Sequence, residues 1–450
     1  MLSTSQPEQA QEEQKSWALP FFTVWGGQAL SMLGSRAANF ALIWWITQET
    51  GSAVILTTLA MVAFLPMIIL GPIGGALVDG WNRRLIMIGA DLGIALATGG
   101  LAIIYLAGQM QLWHIFVVTF VSTALGVFHG TAMMASTSLM VPEAHLTRVQ
   151  GANQMLQGSM NILAPALGAL LVSLMPLHYI LGIDVLTAAF SILPLFFIAI
   201  PQPTKAGEPK SMANAEETKQ SIWEDVRFGI RYIVAWPGLM FVVGAAMLLN
   251  LLLNPAFTLL PLLVTEHFGG GAVLLSWMEG LFGVGIISGG LLMGLWSGSK
   301  RRMLALPLGG IAVGIGVLAL GTIPSTFFWV ALVCPVLVGL GIANLDGTIL
   351  AALQANVEPE VQGRVFTVLS SGAQAMTPIG LILVGQISQR WGVQVPFMMA
   401  GLLMSVIAIV LLLTPAVMRL HEGNPNKQPT EKDTLEKTPV LAPTPASSAT

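Results

Sequence analysis

The sequence predicts an all-α integral membrane protein with twelve transmembrane helices in two pseudo-symmetric six-helix bundles. Three observations predict it. Of 450 residues, 54% are hydrophobic and 9% charged, against about 25% charged in an average soluble domain. Apolar runs that reach the roughly 20 residues needed to cross a bilayer recur twelve times along the chain. Between them the charge is gathered, chiefly into 1–16, 201–235 and the stretch after Leu420.

The runs are 18–47, 53–78, 85–107, 112–138, 150–175 and 179–200, then 236–264, 272–297, 303–322, 327–355, 365–388 and 393–417. Six lie on each side of the polar segment 201–235. The expected organisation is a tail at 1–16, a bundle at 17–200, a linker at 201–235, a second bundle at 236–420 and a tail at 421–450. Several runs are longer than a bilayer requires, which fits tilted or kinked helices. The chain holds 48 Gly and 26 Pro. Membrane helices tolerate both residues, and small residues let their backbones approach. The first tail carries Glu8, Glu12 and Glu13 and no apolar core, unlike a cleavable signal peptide. The last is rich in Pro, Thr, Ser and charge, a composition that cannot bury a core, so disorder is expected there.

Lys and Arg placement orients the bundle. With the N-terminus in the cytoplasm, every one of the 19 Lys and Arg except Arg36, inside the first span, and Arg390, after the eleventh, falls in a cytoplasmic loop or tail. Both termini are therefore expected inside, in a protein of the plasma (inner) membrane.

The halves echo each other. Gly74-Gly75, Asp79, Trp81 and Arg83-Arg84 mark the junction of spans two and three; Gly289-Gly290, Trp296 and Lys300-Arg301-Arg302 mark that of spans eight and nine. Pro142-Glu143 precedes Arg148, and Pro359-Glu360 precedes Arg364, each ahead of a span with an internal proline, Pro165 or Pro378. Such a duplication is the architecture of transporters that rock two halves about a midplane site.

Several function classes are excluded or disfavoured. A net charge of −3 offers nothing to nucleic acid. The single cysteine, Cys334, cannot form an intramolecular disulfide. The histidines at 114, 129, 145, 178, 267 and 421 are isolated, so metal-ligand spacing is absent. No lysine follows a glycine, which removes the phosphate-binding loop and ATP hydrolysis by that route. No cofactor is expected. A membrane enzyme would gather catalytic groups at one depth, whereas the acids here are scattered over several helices. The membrane half of an ATP-driven pump would need a separate nucleotide-binding partner.

Gly75-x-x-x-Asp79-x-x-x-Arg83-Arg84, between spans two and three, resembles the signature loop of the major facilitator superfamily. Gly80 and Asn82 depart from its usual basic residue and glycine. Within that superfamily the chain resembles the macrolide-efflux-like exporters. The matching segments are Val141-Pro142-Glu143 with Leu146-Thr147, Ala164-Pro165-Ala166, Ile183-Asp184-Val185-Leu186, Glu266-His267-Phe268, Gly363-Arg364-Val365-Phe366 and Pro378-Ile379-Gly380-Leu381-Ile382-Leu383. The resemblance implies the two-bundle fold and the export direction. For Asp79, Arg83 and Arg84 it implies gating, with Asp79 pairing a basic group or a helix N-terminus in one state and releasing it in the other. The alternative for the arginines is that they set topology alone.

Polar groups inside the spans need a reason, because a charge at the centre of an inserting helix costs roughly 2.5–3.5 kcal/mol. Gln28, Ser31, Ser35 and Asn39 share a stripe roughly 80° wide on span one, facing either a cavity or another helix. Arg36, beside that stripe, lies within snorkelling distance of the outer end. Asn250 and Asn254 share a face of span seven before Pro255, which frees the carbonyl of Leu251. They are candidate cargo contacts, with interhelical bonding as the alternative. Glu279 and Asp346 are the candidate proton-coupling acids, since a carboxyl group in an apolar helix is most cheaply held neutral. Structural roles are expected for Asp91 and Asp184, nearer helix ends.

The expected function is ion-gradient-driven export of amphipathic small molecules, probes for which are drugs and dyes, with the bilayer, cargo and protons as partners. The rivals are an importer of the same fold and a non-transport integral-membrane enzyme. Topology is directly testable. Reporter fusions after residues 108 and 205 should register outside and inside respectively, and a shared compartment would overturn the assignment.

Overall fold

The structure is a computed structural model in which residues 17–201, 226–295, 304–357 and 359–418 are described. Twelve long helices run through these residues. In the first half they are α1 (Ala18–Thr50), α2 (Ala53–Gly80), α3 (Arg83–Leu106), α4 (Leu112–Met140), α5 (Glu143–Leu174) and α6 (Leu177–Phe197). In the second they are α7 (Pro237–Thr258), α8 (Ala272–Leu295), α9 (Ala305–Thr322), α10 (Val333–Asn356), α11 (Pro359–Trp391) and α12 (Gln394–Leu413). Eleven of the twelve are long and apolar enough to cross a membrane. The exception is α1, whose 33 residues include the polar stripe and Arg36. It is held by the other helices around it.

Local chemistry sets the helix ends. Ser52 caps α2 by accepting from the Ile55 N–H, and Asn82 caps α3 by accepting from Arg84 and Leu85 N–H. Each side chain satisfies amides that have no partner in the first turn. Pro142 and Pro176 precede α5 and α6. Gly51 ends α1 in the left-handed region at φ 54°, a conformation that is cheap only for glycine. The helix α7 continues through Leu260–Leu262 into a π-helical turn at Leu263–His267. There His267 donates from Nε2 to the Ile323 carbonyl at 2.8 Å and Gln394 donates to its Nδ1. The segment expected as a polar linker is helical over 226–235, where Ile233 is buried. The basic run at 300–302 and both tails lie outside the described residues.

Helices pack through glycines. On α8 and α10, Gly285 and Gly289 lie against the backbone of Val336 and Leu340, and Gly339 lies against Phe282 and Ile286. Gly314 of α9 and Gly401 of α12 pack in the same way against Ser405 and Leu318. Such approach replaces the hydrophobic drive that lipid removes. The halves meet toward the end away from the termini: Thr57 of α2 on Gly385 of α11, Ile162 of α5 on Gly283 of α8, and Gly51 beside Glu266.

The carbonyl of Leu251 that Pro255 leaves free faces Gly380 of α11, where a Cβ would overlap both the carbonyl oxygen and the proline ring. Backbone cannot yield as a side-chain tip can. Gly380→Ala should therefore destabilise the purified protein by about 1–3 kcal/mol, the usual range for overpacking, read as a lower Tm. Gly372→Ala on the same helix meets open space, and there Tm should hold or rise slightly.

Candidate functional site

The polar stripe of α1 divides its work. Gln28 donates from Nε2 to Asp91 Oδ2 of α3 at 3.0 Å, and Ser35 donates to Asp184 Oδ1 of α6 at 2.7 Å. Both aspartates are buried. Asp91 also accepts from Ser191 at 3.0 Å. Gln28 is thus committed to a neighbouring helix. Asn39, further along the stripe, faces a cavity.

That cavity, of about 350 Å³, lies between the halves. From the first half come Arg36, Asn39, Phe40 and Ile43 of α1 and Met160, Asn161, Ala164 and Pro165 of α5. From the second come Phe257 and Leu260, and Leu275, Met278, Glu279 and Phe282 of α8. The size falls in the range of small-molecule sites, which are mostly apolar with a few convergent polar groups. It sits beside the Ile162–Gly283 contact, where the two halves touch.

Arg36 does not snorkel. Its guanidinium donates from Nη1 to Asn161 Oδ1 at 3.1 Å and from Nη2 to Gln157 Oε1 at 2.6 Å. Two neutral amides on α5 hold a cation at the cavity wall, and no carboxylate pairs with it among the described residues. Gln157 and Asn161 were not singled out in the sequence. Their signal was available: two amides four residues apart on one helical face, like Asn250 and Asn254.

Glu279 lines the cavity and Asp346 does not. Among the described residues neither carboxylate has a hydrogen bond or ion pair. The glycine contacts show α8 and α10 running parallel, with Gly285 and Gly289 beside Val336 and Leu340, and Met293 beside Gly347. At 1.5 Å per residue that register separates Glu279 from Asp346 by about 20 Å along the axis. A shared proton is ruled out. Asn250 and Asn254 are outside the cavity wall: Asn254 donates to Asn250 Oδ1 at 2.8 Å, and Asn250 donates to the Ala246 carbonyl at 2.9 Å. They lie about one and two turns before Phe257, which does line it.

At the signature loop, Arg83 is buried and donates to the Ala135 carbonyl near the end of α4 at 2.8 Å. Arg84 donates to the carbonyls of Leu195 and Phe196 in the last turn of α6. Cations at helix C-termini meet the negative end of the dipole, so both arginines tie α3 to its neighbours. Asp79 lies in the last turn of α2, and its side chain is outside the described part of the structure.

The family model for the Major Facilitator Superfamily matches residues 24–269 and 239–448. Macrolide efflux protein A of Streptococcus pyogenes is 33% identical over 409 residues, covering 91% of this chain and 99% of its own length. A relative of the same name from Enterococcus faecalis is 33% identical over 331 residues, 74% of this chain and all of its own. A solved bacterial homologue of the iron transporter ferroportin, in an inward-facing state, superposes with a TM-score of 0.66 at 15% identity. That match covers 87% of this chain and 98% of the other.

The division of the α1 stripe can be tested by stability. Gln28→Ala removes a donor from buried Asp91, which should cost about 1–3 kcal/mol and lower Tm. Asn39→Ala removes a group that faces the cavity, and Tm should stay within about a degree.

Proposed function

This chain belongs to the major facilitator superfamily, and from that premise we propose that it is a proton-driven exporter of amphipathic small molecules, macrolide-type drugs among them. The cavity between the halves carries the reading, since its apolar walls hold one cation and one acid, contributed by opposite halves. An amphipathic amine would lay its apolar body on Phe40, Met160, Phe257 and Phe282 and its ammonium against Glu279. Carbonyl or hydroxyl groups of the cargo would take donors from Arg36 and amides from Asn39 and Asn161. A proton at Glu279 cancels the charge that holds the ammonium and so exchanges for the cargo.

The meeting of the halves away from the termini supports an inward-facing state, with cargo entering from the cytoplasm. Rocking about the cavity would close that side and open the other. Asp79 with Arg83 and Arg84 would control that exchange from the membrane face. Asp346, about 20 Å from Glu279 along the helix axis, could bind a proton only as an independent site. Asn250 and Asn254 would contact cargo when α7 moves inward. Both termini would lie in the cytoplasm of a plasma-membrane protein.

The reading is tested by accumulation of a labelled macrolide and a panel of cationic dyes in cells with and without the protein. Accumulation should be lower with it and restored by a protonophore; export that survives the protonophore would remove the proton from the scheme. Glu279→Gln mimics the permanently neutral acid. In vesicles it should still exchange cargo down a gradient but no longer concentrate it, while Asp346→Asn should retain uphill transport. Uphill transport by Glu279→Gln with an unchanged pH profile would show that Glu279 is not the coupling acid.

A further inference from the structure

Away from the cavity, a second titratable cluster joins four helices of the first half. Gln28 lies eight residues before Arg36 on α1, about 12 Å nearer the termini. At that level Asp91 of α3, 6% exposed, accepts at Oδ2 from Gln28 and from Ser191 of α6, both at 3.0 Å. Its other oxygen, Oδ1, lies 3.3 Å from Nε2 of His129 on α4. That nitrogen is buried, at an ion-pair distance but without hydrogen-bond angles to the carboxylate. The His129 side chain is 18% exposed.

The hydrogen bonds admit two proton arrangements without moving a heavy atom. Ser191 Oγ is 3.0 Å from Asp91 Oδ2 and 2.8 Å from the Ala188 carbonyl, and its one hydrogen can serve either. With Asp91 ionised, Ser191 donates to it. With a proton on Oδ2, Asp91 donates to Ser191, which turns its own hydrogen to Ala188. Oδ2 still accepts from Gln28 in both. The imidazole likewise holds one proton or two.

We propose that Asp91 and His129 form a proton-binding site in the first half, separate from Glu279, whose occupancy sets how firmly α1 is tied to α3. A charge-assisted bond is roughly twice as strong as a neutral one. Gln28 is therefore held tightly by the ionised carboxylate and more loosely by the protonated one. Because Arg36 and Asn39 ride on the same helix, the state of this site reaches the cavity through α1. Among the described residues, the polar groups on Asp91 are Gln28 from α1, His129 from α4 and Ser191 from α6, of which His129 alone is ionisable. The charged groups next along the neighbouring helices are engaged elsewhere: Arg84 on the carbonyls of Leu195 and Phe196, and Asp184 on Ser35.

Proton binding here is independent of the transport reading; only its effect on the cavity rests on that reading. The test uses the purified full chain in nanodiscs with ¹⁵N-labelled histidine. The His129 signal is identified by its loss in His129→Gln. Recorded across pH, it should show a change of protonation, and Asp91→Asn should shift the midpoint of that change. A signal that does not titrate, or one indifferent to Asp91→Asn, overturns the site. Should Asp91→Asn fail to fold, potentiometric titration replaces it: the parent chain should take up one more proton than His129→Gln over the pH range of the spectral change, and equal uptake overturns the site. In proteoliposomes, His129→Gln should flatten the pH profile of transport over the range of the spectral change. A titrating His129 with an unchanged profile overturns the link to the cavity, whereas absent transport by the parent chain would defeat the exporter reading and leave the titration standing.

Discussion

A hydrocarbon interior offers no partner to a backbone N–H or C=O, so each crossing segment must satisfy its own, and helices follow. Lipid also removes the hydrophobic gain of bringing helices together. What remains is close packing, and the glycines at 285, 289, 339, 314 and 401 supply it by letting one backbone lie on another. Pro255 shows the same constraint from the other side. It frees a carbonyl that α7 cannot bond, and α11 answers with Gly380, the one residue type that leaves room there.

Polar side chains obey the same rule with more choices. Asp91 and Asp184 are buried and each accepts from hydroxyl or amide donors on other helices. Arg83 and Arg84 spend their charge on carbonyls at helix ends. The first helix, too polar to pass as a simple span, is anchored through Gln28 to α3, Ser35 to α6 and Arg36 to α5. At the cavity a cation and an acid from opposite halves share one wall, neither with an opposite charge in contact among the described residues.

Much of the fold was legible. Helix number, the division into halves and most ends within a few residues follow from apolar run length, because the bilayer imposes one thickness on every span. The ends moved where capping or proline chemistry extended a helix beyond its apolar run, as at Glu143 and Pro359. Run length could not show that α7 would pass into a π-helical turn held by His267. The stripe on α1 was visible as a stripe, but its four polar residues look alike on a helical wheel. Which of them meets a buried aspartate and which meets the cavity depends on neighbours far along the chain.

The sequence by itself determined that this chain spans a membrane many times, that its halves repeat, and which polar residues are costly enough to require a purpose. These are one-dimensional facts, set by hydrocarbon thickness and by the free energy of burying charge. The tertiary structure alone decided the pairings. It put Glu279 on the same cavity as Arg36 and set Asp346 about 20 Å away along the helix axis. It also turned Arg36 from the interface to the amides of α5, and brought His129 to Asp91. Each depends on the rotation and register of one helix against another, and those are settled by side-chain shape at contacts between residues distant in sequence.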